Sequence, residues 1–253
     1  MTLAGFDGLL WLIATVVPFM VVQRWVHREI QKVFLLITHS PNATVVIFSL
    51  ILLPGVFLHE LSHFIVAKIL RVPTGRFTLI PRMENGSTLV MGSVEVARVD
   101  FFRDTLIGSA PLISGGIVLV LLGVYKLGLS QLPSLFSSGQ TDLFLTVLAD
   151  LPSLPDFWLW FYIAFAVSAT MMPSPTDRGG FAACAGVVVF LLLVAILMGV
   201  GPWMLAHVAP QVNQAFRALG GMFAIAFVVN LLVGLPMFAL ARGISKLTGY
   251  QVR

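Results

Sequence analysis

The sequence predicts an all-α polytopic membrane protein with about six transmembrane helices and a small membrane-associated β-hairpin after the second. Hydrophobic residues make up 58% of the chain and charged residues only 10%, whereas a soluble domain carries about 25% charged residues. Since so few charges cannot cover a water-facing surface, the bilayer must solvate much of the chain. Apolar runs of roughly 20 residues, the length that crosses a bilayer, also recur along the sequence.

These apolar runs predict the spans in order, and nothing between them suggests a separate soluble domain within residues 1–253. The segment Trp25–Ser40 is too charged to cross, so we expect an interfacial helix there. Pro41-Asn42 should then break the chain before the second span. The predicted spans are Leu9–Val26, Ala43–Leu70, Thr105–Leu127, Asp156–Met172, Phe181–Val200 and Ala218–Leu240.

Two further segments are not spans. Residues Arg76–Arg98 alternate like short strands, and Asn85-Gly86 between them is a strong hairpin-turn signal. Gly128–Pro155 is rich in Ser, Pro and Asp, which predicts a loop with one short helix near its apolar run Leu143–Leu148.

The placement of lysine and arginine predicts a cell-membrane protein with both termini in the cytoplasm. With a cytoplasmic N-terminus and six spans, ten of the 15 basic residues face the cytoplasm, as the positive-inside rule requires. The stretch containing Arg24, Arg28 and Lys32 falls on the other side and runs against this assignment. The net charge of +4 includes no basic block, so we expect no nucleic-acid partner.

Glu60 lies deep in the second predicted span, where a charge needs a partner and is functional by default. It belongs to His59-Glu60-Leu61-Ser62-His63, an H-E-x-x-H motif. On a helix the two histidines share one face and can bind one metal ion, and the glutamate beside them can act as general base toward a water molecule. The sequence therefore predicts one catalytic Zn²⁺ per chain; the alternative is a chance match.

A catalytic zinc needs a third protein ligand and one open position. Asp177 is the candidate, because it follows the fourth span at a comparable depth within Met172–Gly180, where prolines break the helix and glycines allow close backbone approach. Irregular backbone at membrane depth is tolerated where it lines a cavity. The alternative is a juxtamembrane Asp177 paired with Arg178.

With these residues the chain resembles the site-2 protease family (M50) of intramembrane zinc metalloproteases. The resemblance covers roughly Val45–Gly180 and rests on the H-E-x-x-H motif, the strand-forming stretch, Gly108–Leu112 and Pro173–Gly180. It implies that His59, His63 and Asp177 bind zinc and that Glu60 is the general base. It also implies one membrane-embedded protease domain, with a catalytic core at about 43–200 and no inserted PDZ or CBS domain.

The sequence departs from the family pattern at several places. Thr170 and Ser114 stand where the family has asparagines associated with substrate or transition-state contacts, Asp177 comes one residue early, and Arg178 replaces a glycine. The substrate-binding residues that we expect come from the predicted hairpin, the Gly108–Leu112 region and the sixth span: Leu89, Val90, Met91, Pro111, Ser114 and Asn230. Asn230 is more often the kind of residue that bonds a neighbouring helix.

These observations favour hydrolysis of a peptide bond in a transmembrane or juxtamembrane segment of a membrane-protein substrate. One alternative is a catalytically impaired relative that binds membrane helices without cutting. Another is a metal transporter, which should show polar residues along several spans, whereas here they concentrate at two places. The expected partners are the substrate and the lipid bilayer.

Overall fold

The computed structural model of the protein describes residues 7–84 and 88–249. The chain folds into helices with one small β region between the third and fourth. The helices are α1 (Asp7–Thr38), α2 (Pro41–Ile51), α3 (Leu53–Ile69), α4 (Phe101–Tyr125), α5 (Leu132–Ser137), α6 (Thr141–Asp150), α7 (Phe157–Thr170), α8 (Phe181–Leu197), α9 (Gly201–His207) and α10 (Ala209–Thr248). The strands are β1 (Thr74–Thr78), β2 (Arg82–Glu84), β3 (Thr88–Val90) and β4 (Ser93–Val96).

Among the described residues, four helical segments are long and apolar enough to cross a membrane: α1, α4, Thr176–Leu197 and α10. The bent pair of α2 and α3 makes a fifth if it counts as one span. Helix α7, predicted as the fourth span, has 14 residues and is about 21 Å long at 1.5 Å per residue. Within Thr176–Leu197, only 6% of the most apolar 18-residue stretch is buried inside the protein. These outward-facing apolar helices are compatible with an integral membrane protein.

The separate interfacial helix predicted at Trp25–Ser40 is wrong, because α1 continues without a break to Thr38. Its charged second half is held in the helix by packing against α10, with Val26, Ile30 and Val33 buried on one face. Glu29, at 5% exposure, pairs with the Lys32 ammonium at 3.0 Å. The predicted break at Pro41-Asn42 is confirmed, since α2 begins at Pro41.

The predicted second span is broken at Leu52, where α2 and α3 meet at a bend of 69°. Pro54 lacks the N–H group that would continue the helical hydrogen-bond ladder. The Tyr162 hydroxyl of α7 donates a 3.0 Å hydrogen bond to the carbonyl oxygen of Ile51 at this break. The bend gives α3 its own direction beside α7.

The Gly128–Pro155 segment is more helical than predicted. It forms α5 and α6, with short 3₁₀ turns at Leu129–Gln131 and Leu151–Ser153, and the apolar run Leu143–Leu148 lies within α6. Two helices therefore replace the loop with one short helix.

The strands form two separate two-stranded antiparallel sheets. Strand β1 pairs with β4, and β2 pairs with β3; the predicted Asn85-Gly86 turn lies outside the described residues. Both β1 and β4 pack on α3. The Phe77 ring of β1 lies 6.5 Å from the Phe57 ring and 6.3 Å from the Phe64 ring, which lays the strands along α3.

Helix α7 is the centre of the bundle. It contacts α3, α4 and α10, and every residue from Ala164 to Thr170 is buried. Its residues contribute to both of the larger hydrophobic clusters, one around Phe19 and Leu119 and the other around Phe48 and Leu52. The buried second half of α7 ends beside the H-E-x-x-H segment of α3.

Candidate metal centre

The two histidines of α3 meet at their outer ring nitrogens. His59 and His63 are one helical turn apart, and their Nε2 atoms lie 3.2 Å from each other. The side chains are only 13% and 8% exposed. The helical spacing therefore places both imidazoles at one point, as the motif predicted.

Asp177 reaches the same point from the irregular segment after α7. Its Oδ2 lies 3.7 Å from His59 Nε2 and its Oδ1 lies 3.4 Å from His63 Nε2. The backbone N–H of Ser174 donates to Oδ2 at 2.6 Å and orients the carboxylate. Asp177 thus joins the two histidines, and one ligand atom from each of the three lies within 4.8 Å of the others.

The hydrogen bonds on the far side of each imidazole determine which nitrogen carries hydrogen. His59 Nδ1 lies 2.7 Å from the Thr170 carbonyl oxygen, and His63 Nδ1 lies 2.8 Å from that of Ile107. A carbonyl oxygen only accepts, so both Nδ1 atoms must be the donors, which leaves each Nε2 of a neutral imidazole with a bare lone pair. Two lone pairs and a carboxylate then face one another, and a metal ion placed between them would satisfy all three.

The donor set and spacing fit a zinc ion. With zinc–ligand bonds of about 2.0–2.1 Å in a tetrahedral site, neighbouring ligand atoms lie roughly 3.3–3.4 Å apart. Here the two Nε2 atoms lie 3.2 Å apart, and each has an Asp177 oxygen close to this distance, Oδ1 at 3.4 Å from His63 and Oδ2 at 3.7 Å from His59. Two histidines and one carboxylate are a known catalytic zinc set, which leaves a fourth position open. Metal-ligating histidines also typically donate their second N–H to a backbone carbonyl, as both do here.

Glu60 is buried beside this group. It is 8% exposed, and its carboxylate interacts electrostatically with His59, His63 and Asp177. On its other side lies the backbone of Gly92, just before β4, where an added Cβ would stand 2.9 Å from Glu60 Cγ. The backbone at Gly92 therefore lies directly against the Glu60 side chain.

Two glycines set how closely the ligand-bearing segments approach. A Cβ on Gly55, one turn before His59, would overlap the carbonyl oxygen of Ala166 in α7. A Cβ on Gly108 in α4 would overlap the carbonyl oxygen of Asp177. Only glycine permits such approaches. These contacts fix α3 against α7 and the Asp177 segment against α4.

Arg178 does not replace the histidines as the partner of Asp177. Its Nε and Nη2 atoms donate to the Pro173 carbonyl oxygen at 2.9 and 2.7 Å, which closes the segment after α7 on itself. The Asp177 carboxylate meanwhile faces the histidines. The alternative of a simple Asp177–Arg178 pair is therefore not what the structure forms.

The other residues predicted from the sequence are dispersed. Pro111 is fully buried, and half-buried Ser114 donates to its carbonyl oxygen at 3.3 Å. Met91 is half-buried and packs against the cluster around Phe48 and Leu52, while the backbones of Leu89 and Val90 form β3. Asn230 has an exposure of 0% and donates to Ser168 of α7 at 2.8 Å, the helix-bonding role that such residues usually have.

Sequence reasoning missed the residues that orient the ligands. The carbonyl groups of Thr170 and Ile107 are backbone atoms, so no residue type signals them. Gly55 and Gly108 carry a weak signal, since glycine inside a helix is unfavourable unless packing requires it. The contacts of both emerge only when the helices are placed together.

Comparison of the chain with protein-family models, curated proteins and solved structures gives no match in any of the three. The candidate site therefore depends on its own geometry. That geometry is a His-His-Asp group able to hold a metal ion, with His63 buried and His59 and Asp177 half-buried, beside a buried glutamate, in a chain of long apolar helices.

Proposed function

We propose that this chain is an intramembrane zinc metalloprotease that hydrolyses peptide bonds in transmembrane or juxtamembrane segments of membrane-protein substrates. One observation carries the proposal: His59 and His63 turn two hydrogen-free Nε2 atoms and Asp177 turns a carboxylate toward one point, next to buried Glu60. Such a group inside an apolar helical protein costs free energy unless a cation balances it, and polar groups at such positions usually serve a function.

His59, His63 and Asp177 would hold the zinc. When bound, zinc supplies Lewis-acid activation of a water molecule and of the peptide carbonyl. Glu60 accepts the proton that the attacking water loses, and it then gives a proton to the amine that leaves when the carbon–nitrogen bond breaks. The low exposure of the ligand side chains, 17% or less, keeps bulk water from competing with their electrostatic interactions.

The β region would hold the substrate. A transmembrane helix hides its peptide bonds in internal hydrogen bonds, so a cleavable segment must unwind. Each backbone group left bare in an apolar cleft costs several kcal/mol, and pairing the unwound segment with a strand edge satisfies these groups. Strand β4 is the candidate, because Gly92 at its start lies against Glu60.

The proposed topology is that of a cell-membrane protein with six crossings and both termini in the cytoplasm. It counts the bent α2–α3 pair and the short α7 as crossings, in addition to the four long segments. The cytoplasmic side would hold the β region and the basic residues around it, in agreement with the positive-inside rule.

A catalytically impaired relative that binds helices without cutting is the second candidate. The observation in its favour is Thr170, where the related family carries a substrate-contacting asparagine. The Thr170 hydroxyl donates back to Ala166 of its own helix at 2.9 Å, and the residue is 8% exposed. Its side chain is therefore used for helix packing.

Cleavage of a model membrane substrate by purified protein distinguishes the active protease from the catalytically impaired relative. Wild-type protein with zinc should cut a reconstituted substrate whose transmembrane helix carries Gly, Pro or Asn, and a metal chelator should stop the reaction. The control is Glu60→Gln, because the amide is nearly isosteric but accepts no proton. Zinc-loaded wild type that leaves every such substrate intact while still binding it would favour the second candidate.

A further inference from the structure

Three consecutive residues at the end of α7 each accept a hydrogen bond from a polar side chain, and each of these side chains belongs to a different helix. Asn230 of α10 donates from Nδ2 to the Ser168 hydroxyl at 2.8 Å. Gln23 of α1 donates from Nε2 to the Ala169 carbonyl oxygen at 2.7 Å. The Thr170 carbonyl oxygen accepts the Nδ1 hydrogen of His59 from α3.

This turn needs outside partners because the helix ends there. The last four carbonyl groups of an α-helix have no partner within it, and in an apolar interior a bare carbonyl is costly. Helix α7 ends at Thr170, so Ala169 and Thr170 carry such carbonyls. Gln23 and His59 fill these two positions.

Gln23 and Asn230 are buried polar residues of two long helices. Their exposures are 9% and 0%, and both belong to long apolar segments. Polar residues at such positions usually hydrogen-bond a neighbouring helix, and here both bond the last turn of α7. Neither touches the metal group, so any effect on it must pass through α7.

We propose that Gln23 and Asn230 are positioning residues for the metal centre. By holding Ser168 and Ala169 from two sides, they fix the Thr170 carbonyl, which in turn holds His59 in the tautomer and orientation that present Nε2 to the metal. This inference rests on the proposed metal site but extends it to α1 and α10, which also pack on each other.

The zinc affinity of the full-length protein tests the proposal. Outer-shell partners of metal ligands typically contribute 10–100-fold to affinity, and Gln23 acts one residue from such a partner, so Gln23→Met should weaken zinc binding about tenfold. Methionine keeps the length of the side chain but has no N–H. The matched control is Gln31→Met, two turns along α1 at a half-buried position, which should change the affinity less than about twofold, since it holds no part of α7.

A spectroscopic readout separates positioning from a general loss of stability. Cobalt(II) in place of zinc gives absorption bands that report ligand geometry, and these should shift in Gln23→Met but not in Gln31→Met. A purely structural role would lower the thermal midpoint and leave the bands of the folded protein unchanged. Asn230→Leu tests the same turn from α10 if Gln23→Met does not fold, with the same shift expected.

The outcomes distinguish this inference from the proposed function. Wild-type zinc affinity and cobalt bands in folded Gln23→Met or Asn230→Leu would overturn the positioning role alone. Failure of the wild-type protein to bind zinc at all would overturn both the positioning role and the metal site on which it depends.

Discussion

The backbone of Asp177 lies directly on Gly108, so closely that any side chain at position 108 would overlap the Asp177 carbonyl oxygen. Residue 107, immediately before this glycine, supplies the carbonyl that accepts the His63 Nδ1 hydrogen. One short part of α4 therefore holds two of the three candidate ligands, one by contact and one by a hydrogen bond.

Gly108→Ala should push the Asp177 segment away from the histidines. We expect zinc affinity to fall at least tenfold, as for loss of an outer-shell partner, measured by competition with a chelator. The control is Gly186→Ala in α8, where an added Cβ meets nothing within 4 Å; alanine there should leave zinc binding unchanged. Equal zinc affinity in the two variants would show that the contact with Gly108 does not place Asp177.

Asp177→Ala should remove one ligand and the negative charge that balances zinc. Zinc content after dialysis should fall to a small fraction of the wild-type value, and cleavage should be lost. Asp142→Ala, which removes an exposed acid on α6, should leave both unchanged. Full zinc occupancy with normal activity in Asp177→Ala would remove this residue from the site.

Glu60→Gln should keep the fold and the zinc but abolish cleavage. General-base catalysis typically contributes 10²–10⁴-fold, so activity should fall by at least about 100-fold in a single-turnover assay, while metal analysis matches wild type. Activity close to wild type would contradict the role of Glu60 as base.

Proline in the β region should impair cleavage without removing zinc. Proline has no N–H to donate along a strand edge, so a proline scan from Thr88 to Val96, with Leu89→Pro, Met91→Pro and Val94→Pro in β4, should reduce cleavage of a membrane substrate. Alanine at the same positions is the control, because it keeps the backbone N–H. If every folded, zinc-loaded proline variant cuts normally, the strands do not hold the substrate.

The chemical core of the site was predictable from the sequence, because its signals are local. The spacing of His59 and His63 places them on one helical face in any helix. Asp177 stood out as an acid at similar depth beside helix-breaking prolines, and the structure brings it to the histidines.

The supporting structure was less predictable because it depends on contacts between distant segments. Arg24, Arg28 and Lys32 suggested an interfacial helix, but packing against the 40-residue α10 keeps α1 continuous past them. The bond from Gln23 to Ala169 and the bond from Tyr162 to Ile51 likewise depend on where α7 lies. No local pattern in α1 or α3 specifies that position.

The zinc content of purified full-length protein, compared between wild type and His63→Ala, tests the central claim most directly. The structure predicts about one tightly bound zinc per chain in the wild type, because two histidines and an aspartate complete a three-ligand site. It predicts near-complete loss in His63→Ala with the helical content preserved. A wild-type protein that takes up no zinc, or a His63→Ala protein that retains it fully, would contradict the metal centre.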